Sequence, residues 1–220
     1  MQKQTITKPT VILMYGYPGS GKSYFGRQFA EETSTAYICA DQLRHEFFDE
    51  PTYSKDETEV VDHLTLYMLG TYLKSGLSVV YDCDNDRLPS RKLVYSVAKS
   101  NKAQPIVVWI QIDIESCFSR VVNRDLRKID DKYAEKLDRT SFESKISKMQ
   151  NVISSEDYIV LSGKHAYSTQ KRALLKKLFE NGLLDNDFAL SNLAKPELVN
   201  LVPNPNPGRV DTNRRNINIY

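Results

Sequence analysis

The stretch Gly16-Tyr17-Pro18-Gly19-Ser20-Gly21-Lys22-Ser23 constrains this chain more than any other. It follows the apolar run Val11-Ile12-Leu13-Met14-Tyr15 and opens a helical pattern that reaches about Thr33. A buried strand, a glycine-rich turn and a helix start, in that order, leave consecutive backbone N–H groups facing one concavity at the positive end of a helix dipole. Phosphate binds in such a concavity. The glycines allow close backbone approach, Lys22 reaches the β- and γ-phosphates of a nucleotide, and the Ser23 hydroxyl holds Mg2+. An ordinary turn is the competing account of a glycine-rich octapeptide, and the strand before it and helix after it argue against that account here.

Four more apolar runs follow. Ala36 to Ala40 ends at Asp41, Leu77 to Tyr81 ends at Asp82, Ile106 to Ile112 ends at Asp113, and Tyr158 to Leu161 ends at Ser162. Helical patterns separate them: one from the capping signature Ser54–Glu57 to Gly76, one over 90–100, one from Glu115 to about Lys128, one from Ser141 to Ile153 and a last from Thr169 to Asn181. Continuous apolar strands alternating with helices predict a parallel sheet covered on both faces, a three-layer α/β domain. Ligands of such sheets sit outside the carboxyl ends of the strands, which makes the residues finishing each strand the ones to weigh.

A length of 220 residues suits one domain with an appendage. The formal charge of +2 gives no push toward nucleic acid or a membrane, and no run approaches the roughly 20 apolar residues that span a bilayer. Cys39, Cys83 and Cys117 lie far apart with no metal spacing, which fits thiols in a reducing compartment; the expected location is the cytoplasm. From Asp185 to Tyr220 the composition changes to eight asparagines and four prolines, with Pro203, Pro205 and Pro207 excluding helix and central strand. The expected division is a domain over 1–182 and an arm over 183–220.

Three stretches near the strand ends carry chemistry. Asp41 and Arg44 share a face at a helix start, where the aspartate either caps the helix or accepts the proton of an attacking hydroxyl, two roles that coexist, while the arginine holds an anionic part of the acceptor. Asp82-Cys83-Asp84-Asn85-Asp86-Arg87 has the D-x-D-x-D opening of a calcium loop, but Arg87 replaces the glycine and Leu93 the glutamate that calcium requires. An aspartate closing a strand beside a phosphate loop instead orders Mg2+, directly or through water, which assigns Ser23 and Asp82 to the metal; a solvated acidic turn is the competing account. Arg120 and Arg124 stand at i and i+4 on a predicted helix and project toward transferring phosphates from a lid over about 120–140. His45, His63 and His165 have no partners at catalytic spacing.

The loop, then Asp41-x-x-Arg44, then Asp82-x-x-Asn85, then Arg120-x-x-x-Arg124, occur in an order that resembles the P-loop kinases of the polynucleotide 5′-kinase and zeta-toxin-like group, over about residues 8–180. The resemblance implies a P-loop NTPase fold with strand order 2-3-1-4-5 and a helical lid. It implies ATP and Mg2+ as cofactors, with Gly16, Pro18, Gly19, Ser20, Gly21, Lys22, Ser23 and Arg120 around the nucleotide. Lys22, Asp41, Arg120 and Arg124 would be catalytic, Asp41 as general base, with Arg44 and Asn85 on the acceptor. The acceptor expected is a nucleic acid 5′-hydroxyl end, a nucleoside or a small metabolite. The alternatives are a nucleotide-gated switch whose arm engages a protein partner, and a nucleotide-sugar kinase.

Overall fold

The fold is built around a strand that has no solvent face. The computed structural model describes residues 6–127 and 131–184. In chain order its elements are β1 (Thr10–Tyr15), α1 (Lys22–Glu32), β2 (Thr35–Cys39), α2 (Ala40–Phe47), α3 (Lys55–Lys74), β3 (Ser78–Asp82), α4 (Leu88–Ser100), β4 (Gln104–Gln111), α5 (Ile114–Val122), α6 (Arg139–Lys148), β5 (Tyr158–Ser162) and α7 (Tyr167–Glu180). All six residues of β1 are buried, because their side chains alternate between two cores. Ile12 and Met14 pack with Phe25 and Phe29 of α1 and Leu174 and Leu178 of α7. Val11, Leu13 and Tyr15 pack with Leu69 and Leu73 of α3 and Val94 and Ala98 of α4.

The five strands pair in parallel in the order β2-β3-β1-β4-β5, the P-loop NTPase order that the resemblance implied. Cys39 pairs with Asp82 and Gln111 with Ser162, so the carboxyl ends of β2 and β3, and of β4 and β5, are level at the rim of the sheet. A third cluster, built from Ile112, Cys117, Val121, Leu137 and Phe142, fastens α5 and α6 beside that rim. Among the described residues no helix is long and apolar enough to cross a membrane.

Three boundaries differ from the sequence reading. Helix α5 ends at Val122, with Asn123 as its C-cap, so Arg124 lies beyond the helix and does not share a helical face with Arg120. Residues 123–138 carry no apolar stripe for a continued helix to bury, and among the described ones Leu137 is the residue that joins a buried cluster. Helix α6 stops at Lys148, short of Ile153, because the chain turns extended at Met149 and Gln150 donates its N–H to Asp86 O at 2.8 Å. Leu183 and Leu184, expected to begin the arm, are core residues at 1% and 6% exposure. The rest of the expected arm, from 185, lies outside the described residues.

The segment after α6 is held by a buried clamp. Arg91 of α4 is fully buried and places its guanidinium against Glu156 at 2.7 Å and 3.0 Å. The same group donates to Asn85 O, Gln150 O and Asn151 O, and it lies 5.3 Å from the Tyr15 ring centroid. Tyr95 OH donates to the same carboxylate. Removing one partner of a buried pair strands the other charge. Arg91→Met is therefore expected to cost about 3–5 kcal/mol in urea unfolding; a cost below about 1 kcal/mol would show that the clamp is not structural.

Candidate active site

The phosphate loop approaches its neighbours main chain to main chain. Gly19 has φ +81°, and a Cβ there would lie 2.4 Å from Cys117 O of α5. Gly16 has φ +145°, and its Cβ would lie 2.4 Å from Ile110 O of β4. No side chain fits either place, and the loop is thereby pressed into a fixed curve between the sheet and α5. Gly21 caps α1 without a side chain, which leaves the N–H groups of the first turn without intrahelical acceptors. Lys22 Nζ donates to Gly16 O at 2.7 Å and to Tyr17 O at 3.2 Å. Ser20 Oγ is buried and has no hydrogen-bond partner. A cradle free of Cβ atoms, open N–H groups, a lysine and an orphaned hydroxyl are the donor set an anion needs.

These groups open onto a cavity of about 780 Å3. Its walls bring together Pro18, Gly19, Ser20, Gly21, Lys22, Ser23, Asp41, Asp82, Arg120 and Arg124, all of them expected from the sequence. Gly16 is not in the wall; it sits beneath the loop, where its carbonyl takes the lysine.

Asp41 is not the helix cap, since α2 is capped at Cys39 and Asp41 is its second helical residue. The carboxylate is free of that duty and faces the cavity. Burial first, and then the charges of Asp84 and Asp82, push its pKa up to about 6. Asp82 accepts Tyr37 OH at 2.8 Å, which fixes its orientation at the end of β3. Asp84 and Asp86 complete a carboxylate rim. Among the described residues no group of three or more His, Cys, Asp or Glu could hold a metal ion unaided. Ser23 and Asp82 as a pair fit Mg2+, which takes one or two protein groups and completes its shell with phosphate oxygens and water.

Two expected acceptor residues are elsewhere. Arg44 is 3% exposed and lies outside the cavity wall. Its Nη1 donates to Glu57 Oε1 at 2.8 Å and its guanidinium stacks 4.7 Å from the Tyr53 ring centroid. Glu57 departs from the capping box that the sequence suggested. Ser54 Oγ accepts from Glu57 N at 3.3 Å, but the glutamate's carboxylate turns to Thr52 and Arg44 instead of back to the cap. Asn85 is 1% exposed and its Nδ2 donates to Met14 O and Tyr81 O, both at 3.2 Å, tying the ends of β1 and β3 together.

The lid arginines are both in the wall. Arg120 Nη2 donates to Gly163 O at 3.2 Å, and Arg124 Nη1 donates to Glu135 O at 2.8 Å with its Nε 3.8 Å from Asp131. Sequence reasoning missed Lys145, Tyr133, Glu135, His165 and Gln170, which also line the cavity. Tyr133 and Glu135 fall inside the stretch expected to form a lid but are not singled out by any motif, and Lys145 lies on the helix predicted from Ser141, where it reads as one charge among several. Gln170 had a signal of a kind, since it lies one turn into a helix that follows the β5 end, where its Nε2 donates to Ser162 O at 2.8 Å.

The profile of a family described as AAA domain matches residues 11–148. Solved structures with the same fold include Kti12 from Chaetomium thermophilum in complex with ADP-AlF3, at 18% identity and a TM-score of 0.61, covering 80% of this chain and 99% of that one. A gluconokinase from Sinorhizobium meliloti has 16% identity and a TM-score of 0.58, covering 80% and 94%. The APS kinase CysC of Mycobacterium tuberculosis, in complex with AMPPNP and APS, has 15% identity and a TM-score of 0.56, covering 78% and 98%. At these identities the likeness is one of fold. No curated protein matches the chain significantly.

Two measurements test the geometry. Gly19→Ala forces a Cβ against a main-chain carbonyl at a left-handed φ and is expected to weaken binding of a nucleoside triphosphate at least about tenfold by calorimetry. Unchanged affinity would remove the close-approach argument. The Asp41 carboxyl, followed by 13C NMR, is expected to titrate near pH 6. A midpoint at the ordinary carboxylate value of about 4 would show that the site is open to bulk water.

Proposed function

We propose that this chain, which belongs to the AAA domain family, is a P-loop kinase that moves the γ-phosphate of ATP to a hydroxyl acceptor. The observation that carries the reading is a half-buried carboxylate, Asp41, with its pKa raised to about 6, in one cavity with the phosphate loop and Lys22. A switch that only binds and releases nucleotide needs no such base.

The reaction follows from placement. The acceptor hydroxyl attacks the γ-phosphorus, a new O–P bond forms, the bond to the β–γ bridging oxygen breaks, and ADP leaves. The hydroxyl proton passes to Asp41, which is mostly ionised at neutral pH with a pKa of about 6 and is matched to that task. Lys22 and the first-turn N–H groups hold the phosphates, and Arg120 and Arg124 neutralise charge that develops on them. Ser23 and Asp82 would hold Mg2+, which when bound supplies charge neutralisation at the phosphate oxygens.

The acceptor we favour is a small hydroxyl compound. The withdrawal of Arg44 into its pair with Glu57 removes the cation that a nucleic acid end would meet beside the base. Among neighbours of the same fold, a gluconokinase and an APS kinase are named for small acceptors. The acceptor contact that the polynucleotide 5′-kinase resemblance implies for Arg44 draws no support from that placement. The kinase domain is taken as 1–182 extended by the buried Leu183 and Leu184, with the arm beyond.

Label transfer from γ-labelled ATP, with a metabolite extract in one set and 5′-hydroxyl oligonucleotides in another, tests both parts. Asp41→Asn is expected to lower transfer at least about 100-fold while ATP affinity stays within about threefold. Wild-type turnover in that variant would sink the base assignment. Lys22→Ala is expected to weaken binding and turnover together. Label on oligonucleotides alone would overturn the small-acceptor preference.

A further inference from the structure

Charge is divided unevenly along the cavity. The strand order sets β4 and β5 on one side of the phosphate loop and β3 and β2 on the other. The chain that follows β4 and β5 brings Arg120, Gly163, His165 and Gln170 to the wall, and the chain that finishes or follows β2 and β3 brings Asp41, Asp82, Asp84 and Asp86. Cys39 pairs with Asp82 across the strand ends, and Asp41 and Asp84 each stand two residues beyond that pair. Tyr133 belongs to the same end, since its ring centroid lies 5.6 Å from that of His45 on α2, the helix that carries Asp41.

The cations of the wall are engaged elsewhere. Lys22 is bonded to Gly16 O and Tyr17 O, and Arg120 to Gly163 O. Arg124 holds Glu135 O and Lys145 pairs with the Glu135 carboxylate. Lys132 stands 5.0 Å from the Tyr133 ring centroid, and Arg27 has a partner as well. Arg44 is turned into its buried pair with Glu57. Among the described residues, Asp41 and Asp84 have neither an ion pair nor a side-chain hydrogen bond. That this cavity receives a ligand does not rest on its carboxylates, because the buried, unpartnered Ser20 hydroxyl and the loop without Cβ atoms line its other end.

We propose that the acceptor is a small polyhydroxy compound bearing a primary amine, an amino sugar or aminocyclitol, whose ammonium is received by Asp84 while one of its hydroxyls meets Asp41. This rests on the reading of the chain as a kinase with Asp41 as base. An ammonium supplies the counter-charge that the wall withholds from Asp84, whereas a carboxylate, phosphate or sulfate on the acceptor would meet like charge with no free cation beside it. Asp82 is the residue proposed for Mg2+, which leaves Asp84 to the acceptor. The Tyr133 ring offers the apolar face of a sugar ring a wall to lie on. The acceptor oxygen bonds to the γ-phosphorus, the bond to the β–γ bridging oxygen breaks, and the hydroxyl proton goes to Asp41. The amine keeps its protons, so it has no lone pair with which to compete with the hydroxyl.

The test uses the full chain with Mg2+, γ-labelled ATP and a metabolite extract divided by ion exchange into cationic, neutral and anionic pools, supplemented with D-glucosamine, D-glucose and D-gluconate respectively. Label is expected to enter the cationic pool at least about tenfold more than either other pool. Acetylating the amines of that pool with acetic anhydride in aqueous bicarbonate removes their charge and is expected to lower transfer at least about tenfold. Asp84→Asn is expected to lower transfer to the untreated cationic pool at least about tenfold with the KM for ATP within about twofold, and to bring the untreated and acetylated pools within about threefold of each other. Equal losses on the two pools would assign Asp84 to Mg2+ or to the fold and overturn the inference. Undiminished transfer to the cationic pool in Asp84→Asn would do the same. Label mainly in the neutral or anionic pool, abolished by Asp41→Asn, would overturn this inference and leave the kinase reading standing. Label in no pool would overturn both.

Discussion

Main chain packed directly on main chain is the constraint from which the site is built. At Gly16 and Gly19 the phosphate loop lies so close to Ile110 O and Cys117 O that a single methyl group would collide at 2.4 Å. Close contact removes freedom from a glycine-rich segment that would otherwise lose much entropy on ordering. The N–H groups at the start of α1 are consequently aimed before any ligand arrives. Preorganised donors of this kind are worth more than flexible ones because no reorganisation accompanies the reaction. The buried β1 strand supplies the rigidity, being fixed by cores on both faces.

Buried charge in this protein has two uses. Arg91 with Glu156, and Arg44 with Glu57, are ion pairs with side-chain exposures of 5% or less. Each joins segments that the sheet does not: the first ties α4 to the loop after α6, the second ties α2 to the start of α3. Such pairs fix geometry more than they add stability, because desolvation offsets much of their attraction. The carboxylates at the cavity are different. Asp41, Asp82 and Asp84 line one cavity, and the raised pKa of Asp41 follows from burial first and then from the charges of Asp84 and Asp82. Perturbed carboxylates in a cleft mark chemistry, whereas paired ones mark architecture.

The segment between α5 and α6 illustrates how the two are joined. Arg124, Glu135 and Lys145 form a chain from the segment after α5 to α6, through the Glu135 carbonyl and carboxylate. Phe142, Cys117 and Leu137 anchor that chain apolar side down. Charge faces the cavity and hydrocarbon faces the sheet end, which holds residues 131–138 in place.

The sequence by itself determined the phosphate loop, the parallel sheet and the placement of Asp41 and Asp82 at the rim, because each depends on local rules. Glycine spacing sets backbone conformation, continuous apolar runs set strand burial, and strand ends in a parallel sheet set where ligands meet the protein. Its errors concern pairs that are distant in the chain. Arg44 stands three residues after Asp41, but a glutamate 13 residues on claims it. Asn85 stands three residues after Asp82, but two carbonyls at the ends of β1 and β3 claim it. Lys145 looked like one charge among many until α6 was laid against the cavity. Backbone preference acts over a few residues and travels with the sequence, whereas the partner of a charge is chosen by distance in space and by access to water, which only the tertiary structure decides.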